Sequence, residues 1–545
     1  MTRRRSALLA AAVGVLVYLP SLTGGFLYDD HRVVLNNRAL GSGSLASVLL
    51  AEPSRPLLGL SWALSHAMSG FAPWSYHLLN VLLHGANAGL LAGLFLWIAR
   101  RAVATAPERV AFTGACLFAA SPMAAETAGY VASRSTALAS LLVLASLRAA
   151  LGLFEARSRR RLAAALGLFA LGLASKEEAA ALPLLLLLLD FFFVAGQDGR
   201  AVLSRAWLHL PFLALPAFGL VARAALTGTW LPEPESPRAA FLATQLAAFP
   251  GYVVRALAPI DPAFYRGQDA VGWPPQPWAV AGLLGTLAIA GLALLGRRRW
   301  PLAAFAVAWM AASLLPSSSI VPLKEMVVDH RAYLGSAGVV FGFAAALVRA
   351  GRGALLAPLL GVWAVLAVRY QLVLGDPQRA WQDAVRRAPH ASEAWRALGD
   401  ARAARGDARA EDAYRRSLAL APRDPAAWTN LGAYLLQARR LPEAAEALER
   451  ASRLVPREAR IHDNLAMVLD ALGRREEATL HLEAAVAGWP PLAQPRLALA
   501  ERLARRGEAA RARALLEEAA RLPLDAAEEA RLYEVYQLLP PVESR

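Results

Sequence analysis

Before about residue 375 the chain is a series of apolar runs, most near the ~20 residues a helix needs to cross a bilayer. In lipid every backbone amide and carbonyl must be satisfied within the protein, so such runs fold as membrane helices. With 57% hydrophobic residues over 545 positions, the chain is too apolar for an ordinary soluble protein. Its last 170 residues are instead rich in Ala, Arg and Glu. The formal charge of +15 does not point to nucleic acid, because much of the arginine excess flanks apolar runs as cytoplasmic membrane anchors do. A single cysteine, Cys116, excludes an intramolecular disulfide.

Placing Arg3-Arg4-Arg5 inside and reading the first run as an uncleaved span gives a consistent threading. Spans are expected over 6–22, 76–98, 109–122, 130–154, 162–175, 179–195, 206–226, 278–296, 301–316, 333–349 and 354–374, eleven in all. The basic clusters at 157–161, 200–205, 297–299 and 349–352 then fall inside. The stretch 239–258, broken by Pro250-Gly251 and carrying Arg255, is expected as a re-entrant or interfacial helix.

On this threading the charged motifs gather on the outer face. Tyr28-Asp29-Asp30 and Arg55 lie in the first outer loop, Glu126 and Arg134 around the second, and Lys176-Glu177 in a tight turn. Lys324 and Asp329-His330-Arg331, followed by Tyr333, precede another span. Ionisable groups at a membrane boundary are costly unless they act together. His77, Asn80, His84 and Asn87 share one helical face at ~100° per residue, with His77 and Asn80 nearest the outer surface. The chain has 55 arginines and only two lysines, Lys176 and Lys324, both in outer loops. A compact ammonium at these points suits a point contact to phosphate.

From residue 389 the chain repeats: Pro389, Pro422, Pro456 and Pro490, and Ala410, Ala444, Ala478 and Ala512, recur every 33 or 34 residues. This is the tetratricopeptide pattern of two antiparallel helices per repeat. The expected fold class is therefore all-α, a polytopic membrane domain followed by a tetratricopeptide-repeat α-solenoid. The expected boundaries are 1–375 for the membrane domain, 376–391 for a linker, 392–524 for about four repeats, and 525–545 for a terminal helix and tail.

The order of motifs resembles the transmembrane and tetratricopeptide-repeat family of O-mannosyltransferases, which have a multi-span lipid-linked-sugar glycosyltransferase fold. The matching segments are Tyr28-Asp29-Asp30 with Asn36-Asn37, Arg55-Pro56-Leu57, Tyr76 to His84, Glu126…Arg134, Ser175-Lys176-Glu177 and Arg331-Ala332-Tyr333-Leu334. The chain departs from the family at Ser121-Pro122, where His-Pro is typical, so a role carried by that histidine has no bearer here. The resemblance implies a polyprenyl- or dolichyl-phosphate sugar donor, with mannose as the sugar, and a protein hydroxyl acceptor recruited by the repeats.

Transfer to a hydroxyl needs a base and cations for the departing phosphate. Asp29 and Asp30 are the candidate catalytic pair. Arg55, Arg134, Lys176 and Arg331 are candidate phosphate contacts, with His77, Asn80, Glu126, Glu177, Lys324, Asp329, His330 and Tyr333 as further substrate-binding candidates. Nothing in the sequence demands a cofactor, and a divalent metal on the Asp pair stays open. Arginine-rich, lysine-poor usage suggests a G+C-rich bacterium, hence a polyprenyl carrier in the inner membrane and extracytoplasmic repeats. Two rival readings remain at this level: a non-catalytic membrane-anchored scaffold for envelope assembly, and a transferase acting on lipid or glycan.

Overall fold

The computed structural model describes residues 2–540 apart from 42–43, 52, 229–236, 319–324, 523 and 525. It is helical throughout the elements that build its cores, and it divides into two compact units, 1–387 and 388–545.

The principal helices of the first unit are α1 (Arg3–Tyr18), α2 (Pro56–Ser69), α3 (Trp74–Ala102), α4 (Pro107–Ala119), α5 (Arg134–Leu151), α6 (Arg159–Leu173) and α7 (Leu182–Phe193). They continue as α8 (Ala206–Thr227), α9 (Arg238–Leu257), α10 (Pro277–Gly296), α11 (Pro301–Ser318), α12 (Tyr333–Arg349), α13 (Leu356–Leu374) and α14 (Pro377–Arg387). Among the described residues eight helical stretches are long and apolar enough to cross a membrane, which marks an integral membrane protein. Seven coincide with expected spans. The eighth is α9, expected to be broken, which runs unbroken for 20 residues through Pro250.

Three of the eleven expected spans fall short of that length criterion. The helices α4, α6 and α7 have 13, 15 and 12 residues, whereas α8 runs for 22. The reason is local. Ser121-Pro122 stops α4, and the Ser175-Lys176 turn with the 3-10 segment Glu177–Ala181 separates α6 from α7. At 1.5 Å per residue α4 is only about 20 Å long. Site-bearing loops therefore begin well inside the length a full span would cover.

Helices meet closely where glycine permits. A Cβ on Gly338 of α12 would lie 2.6 Å from the Trp309 ring of α11, and one on Gly282 of α10 would lie 2.2 Å from the Ala247 carbonyl of α9. Polar side chains tie other helices together. His84 Nδ1 meets the Tyr333 hydroxyl at 2.8 Å and its Nε2 donates to the Ala119 carbonyl at 3.0 Å, while Asn87 donates to the Ala137 carbonyl at 2.9 Å.

The expected linker 376–391 is helical over Pro377–Arg387, and Trp381 and Val385 of that helix are buried in the first unit. Trp381 packs edge-on against Tyr28 and Phe264, with ring centroids 5.3 and 4.9 Å away.

The second unit contains four antiparallel helix pairs. They are Ser392–Ala403 with Ala410–Leu420, Pro425–Gln437 with Leu441–Leu454, Ala459–Ala471 with Arg475–Ala487, and Ala493–Arg505 with Ala509–Ala520. A further helix, Ala526–Gln537, follows. Ala410, Ala444, Ala478 and Ala512 are each 0% exposed, so the periodic alanines mark where paired helices touch. A second periodic device links each repeat to the previous proline. Trp395 Nε1, Trp428 Nε1 and His462 Nε2 donate to the carbonyls of Pro389, Pro422 and Pro456 at 2.9–3.0 Å.

Candidate active site

The loop after α1 folds back so that Tyr28-Asp29-Asp30 meets the turn entering α5. Asp30 is fully buried and spends both oxygens on backbone amides, Leu27 at 2.9 Å and Ala132 at 2.7 Å. Asp29 keeps its carboxylate outward, 3.7 Å from Arg32, while its amide donates to the Tyr130 hydroxyl at 3.0 Å. Tyr28 has a φ of +47°, a conformation costly for a residue with a side chain. The two adjacent carboxylates are thus divided, one holding the turn and the other facing space.

That space is a cavity of about 440 Å3. Of the residues expected at a site, Asp29, Arg55, Glu126, Lys176 and His330 line it. Arg32, Tyr28, Tyr130, Trp62, Phe264 and Glu325 complete much of the wall. Arg32 follows the Tyr28-Asp29-Asp30 motif without a signal of its own, and Glu325 stands out in the sequence only as the charged neighbour of Lys324. Phe264 lies in a long loop with no periodic signal.

Both oxygens of Glu126 engage His330, Oε1 with Nδ1 at 2.5 Å and Oε2 with the backbone amide at 3.1 Å. Lys176 donates to Thr136 Oγ1 at 2.7 Å and pairs with Glu178 at 2.8 Å, and Arg55 pairs with Glu177 at 2.8 Å. Burial drives the Glu126 carboxyl well above its usual range, helped by the charge of Asp329. Burial also raises Glu325, and it pushes Asp30 up to about 8 against the pull of its amide bonds. Glu177 goes the other way: burial would raise it, but Arg55 and Lys176 together hold it below the usual range. Arg32, Arg55 and Lys176 line the same cavity as Asp29, Glu126 and Glu325.

The remaining expected residues are placed elsewhere. Arg134 is buried, its guanidinium donating to Asn80 Oδ1 and to the carbonyls of Ser61 and Tyr76, each at 2.8 Å. Asn80 also donates to the Tyr130 carbonyl at 2.9 Å, so Arg134 and Asn80 brace the cavity wall from behind. His77 and Tyr333 are buried between helices. Arg331 donates to the carbonyls of Glu325 and Met326 at 2.6 and 3.1 Å, fixing the segment that presents Glu325. Asp329 is buried and engages Arg255 and Arg266 instead. Arg134, Asn80, Arg331 and Asp329 are spent on protein partners because burying an unpaired polar group is expensive, whereas both ring nitrogens of His77 are buried without a hydrogen-bond partner among the described residues. Glu177 is at the rim, bound to Arg55. Lys324 lies outside the described residues. Among the described residues no group of three or more His, Cys, Asp or Glu side chains is placed to hold a metal ion.

No family model matches the chain. It is 34% identical over 154 residues to the human protein O-mannosyl-transferase TMTC2, a match covering 26% of this chain and 18% of that one. The TMTC2 of Xenopus laevis is 39% identical over 101 residues, covering 16% of this chain and 12% of the relative. Mouse TMTC4 is 28% identical over 162 residues, covering 26% and 22%. The chain thus spans less than a quarter of the length of these relatives. Its similarity to O-mannosyl-transferases is distant and partial.

Among solved structures, PilF of Pseudomonas aeruginosa is 25% identical, with a TM-score of 0.27 over 31% of this chain and 82% of that one. The tetratricopeptide-repeat protein TTC0263 of Thermus thermophilus is 24% identical, with a TM-score of 0.26 over 32% and 94%.

Proposed function

We propose that this chain is an integral-membrane glycosyltransferase. It transfers mannose from a polyprenyl-phosphate carrier to an extracytoplasmic protein Ser or Thr hydroxyl, and the repeats recruit the acceptor. The observation that carries the reading is the cavity that Asp29, left outward by the anchoring of Asp30, lines together with Lys176 and Arg55.

In this mechanism Asp29 takes the proton of the acceptor hydroxyl as its oxygen attacks the anomeric carbon. The bond from that carbon to the phosphate oxygen breaks, and the electron pair leaves with the polyprenyl phosphate. Lys176 and Arg55 neutralise the departing charge, with Arg32 at the mouth. A single displacement inverts the anomeric centre. Glu126 and His330 together shape the wall beside Lys176.

The membrane arrangement has its own support. Along α9, Gln245 donates to the Met326 carbonyl, Tyr252 to the Val328 carbonyl at 3.2 Å, and Arg255 pairs with Asp329 at 3.1 Å. Positions 245 and 255 are about 15 Å apart on a helix. Both reach the short segment 326–329 that precedes α12, so α9 lies along the rim of the site rather than leading away from it. With α9 taken as interfacial, this reading keeps Arg297-Arg298-Arg299 inside and has the site and the repeats outside a bacterial inner membrane.

The test is a transfer assay with purified protein, a polyprenyl-phosphate mannose donor and envelope protein as acceptor. Transfer that depends on Asp29 is expected. Absence of any sugar transfer or donor hydrolysis by the wild type would revive the scaffold reading.

A further inference from the structure

A second cavity, of about 400 Å3, lies between α9, the first turn of α10 and the loop joining them. Its charged lining is unlike that of the first. Three guanidiniums face it, those of Arg255, Arg266 and Arg387, and one carboxylate, Asp261. Asp329 is buried at 3% exposure and does not line the cavity, yet it pairs with two of the three, and Arg266 also reaches Asp261 through the Asp261 carbonyl at 3.0 Å. Arg266 binds it with Nε at 3.0 Å and Nη2 at 2.6 Å, and Arg255 approaches with Nε at 3.1 Å. Arg255 Nε and Nη2 are both buried and make no hydrogen bond among the described residues, so Asp329 holds Arg255 by charge alone. Arg387 pairs with Asp261, whose side chain is 60% exposed, and with Asp383.

The walls also fit a membrane position. Ala247, Ala248 and Gly251 present no bulk from α9, which leaves the space open. Trp278 stands in the first turn of α10. Beyond it Leu284, Leu287 and Leu295 of that helix are 62%, 69% and 85% exposed, as lipid-facing side chains are. Tryptophan at the end of a span marks the headgroup level. Guanidiniums gathered at that level recognise phosphate by paired N–H donors.

We propose that this second cavity is a binding site for the phosphate headgroup of a membrane glycerolipid, held by Arg255 and Arg387 with Trp278 against the lipid's glycerol. The assignment rests on the membrane arrangement proposed above, not on the transfer chemistry. It is separate from the Asp29 cavity, since the segment 325–330 turns Glu325 and His330 to one space and Val327 to the other.

The test uses the full-length detergent-purified protein and native mass spectrometry with added dioleoylphosphatidate, and dioleoylglycerol as the control lacking phosphate. The wild type is expected to retain dioleoylphosphatidate and not dioleoylglycerol. Arg255→Gln should weaken retention about tenfold or more, the usual scale for losing a hydrogen bond to a charged group. Because Arg255 also pairs with Asp329, Ala248→Phe provides a second variant that fills the cavity and leaves every charge in place, with the same expected loss. Asp29→Asn should retain the lipid as the wild type does, whether or not sugar transfer is ever observed. Unchanged retention by both cavity variants, or equal retention of dioleoylglycerol, would overturn the proposal. Inorganic phosphate binding as tightly as the lipid, read by calorimetry, would overturn its lipid part and assign the cavity to free phosphate.

Discussion

Asp30 accepts the backbone amide of Ala132 at 2.7 Å, joining the loop after the first membrane helix to a turn more than a hundred residues later. The bond fixes the turn on which its neighbour Asp29 stands. It also separates two adjacent carboxylates by role, which sets the first prediction.

Asp29→Asn should insert and fold normally but lose about a hundred- to ten-thousandfold in transfer rate, the range for loss of a positioned base. Asp30→Asn should act through structure. An amide cannot accept from both Leu27 and Ala132 with two oxygens, so one buried N–H loses its partner at a cost of about 1–3 kcal/mol. Thermal unfolding and a transfer assay on the two purified variants separate the effects. Wild-type turnover by Asp29→Asn would remove it as the base.

Stability should depend on pH through Asp30. Its folded value, about 8, lies above the 3.8 of an unperturbed aspartate, so the folded state holds the proton more tightly than the unfolded state. The protonated carboxyl favours folding fully below the unfolded value, and the advantage is lost as pH rises through 4 to 8. Glu126 and Glu325, also raised, act in the same direction. Unfolding temperature in detergent should therefore fall between pH 5 and pH 8, with a shallower slope in Asp30→Asn. A rise over that interval would contradict the assignment.

Lys176→Arg should lower transfer by at least tenfold even though charge is kept. Lys176 is 9% exposed and held between Thr136 and Glu178, a site sized for a compact ammonium. Arg32→Lys, at an exposed position, should cost little. Steady-state kinetics with the lipid-linked donor would compare the two, and equal effects would argue against a confined phosphate contact at Lys176.

The repeats should lie outside the cytoplasm. Alkaline phosphatase fused after residue 391, beyond the helix that buries Trp381, should be active, and a green fluorescent protein at the same point dark. The reverse pair would place the proposed site inside as well.

Deleting residues 388–545 should spare donor binding and slow donor hydrolysis while abolishing transfer to protein. The chain divides into compact units at that point, which favours survival of the first unit. Unchanged transfer to protein would mean the repeats serve another purpose.

The sequence by itself determined the class of this molecule. Apolar runs must become helices in lipid, because unpaired backbone groups there are prohibitively costly. The 33- and 34-residue spacing must become helix pairs, since Ala410 and its equivalents recur wherever two helices touch. Local periodicity carries both signals. It does not say which partner a polar group finds. Asp29 and Asp30 are identical in type and adjacent, yet one faces a cavity and the other is bound to Leu27 and Ala132. Arg134, Arg331 and Asp329 read as site residues, yet their side chains reach Asn80, the Glu325 carbonyl and Arg266 and do not line the Asp29 cavity. Phe264 and Arg266, with no motif around them, are brought to the cavity walls by α9 and the loop after it. Only the tertiary structure decided these assignments, because a buried polar side chain is committed by partners tens to hundreds of residues away, and the cost of leaving it unpaired is set at that distance.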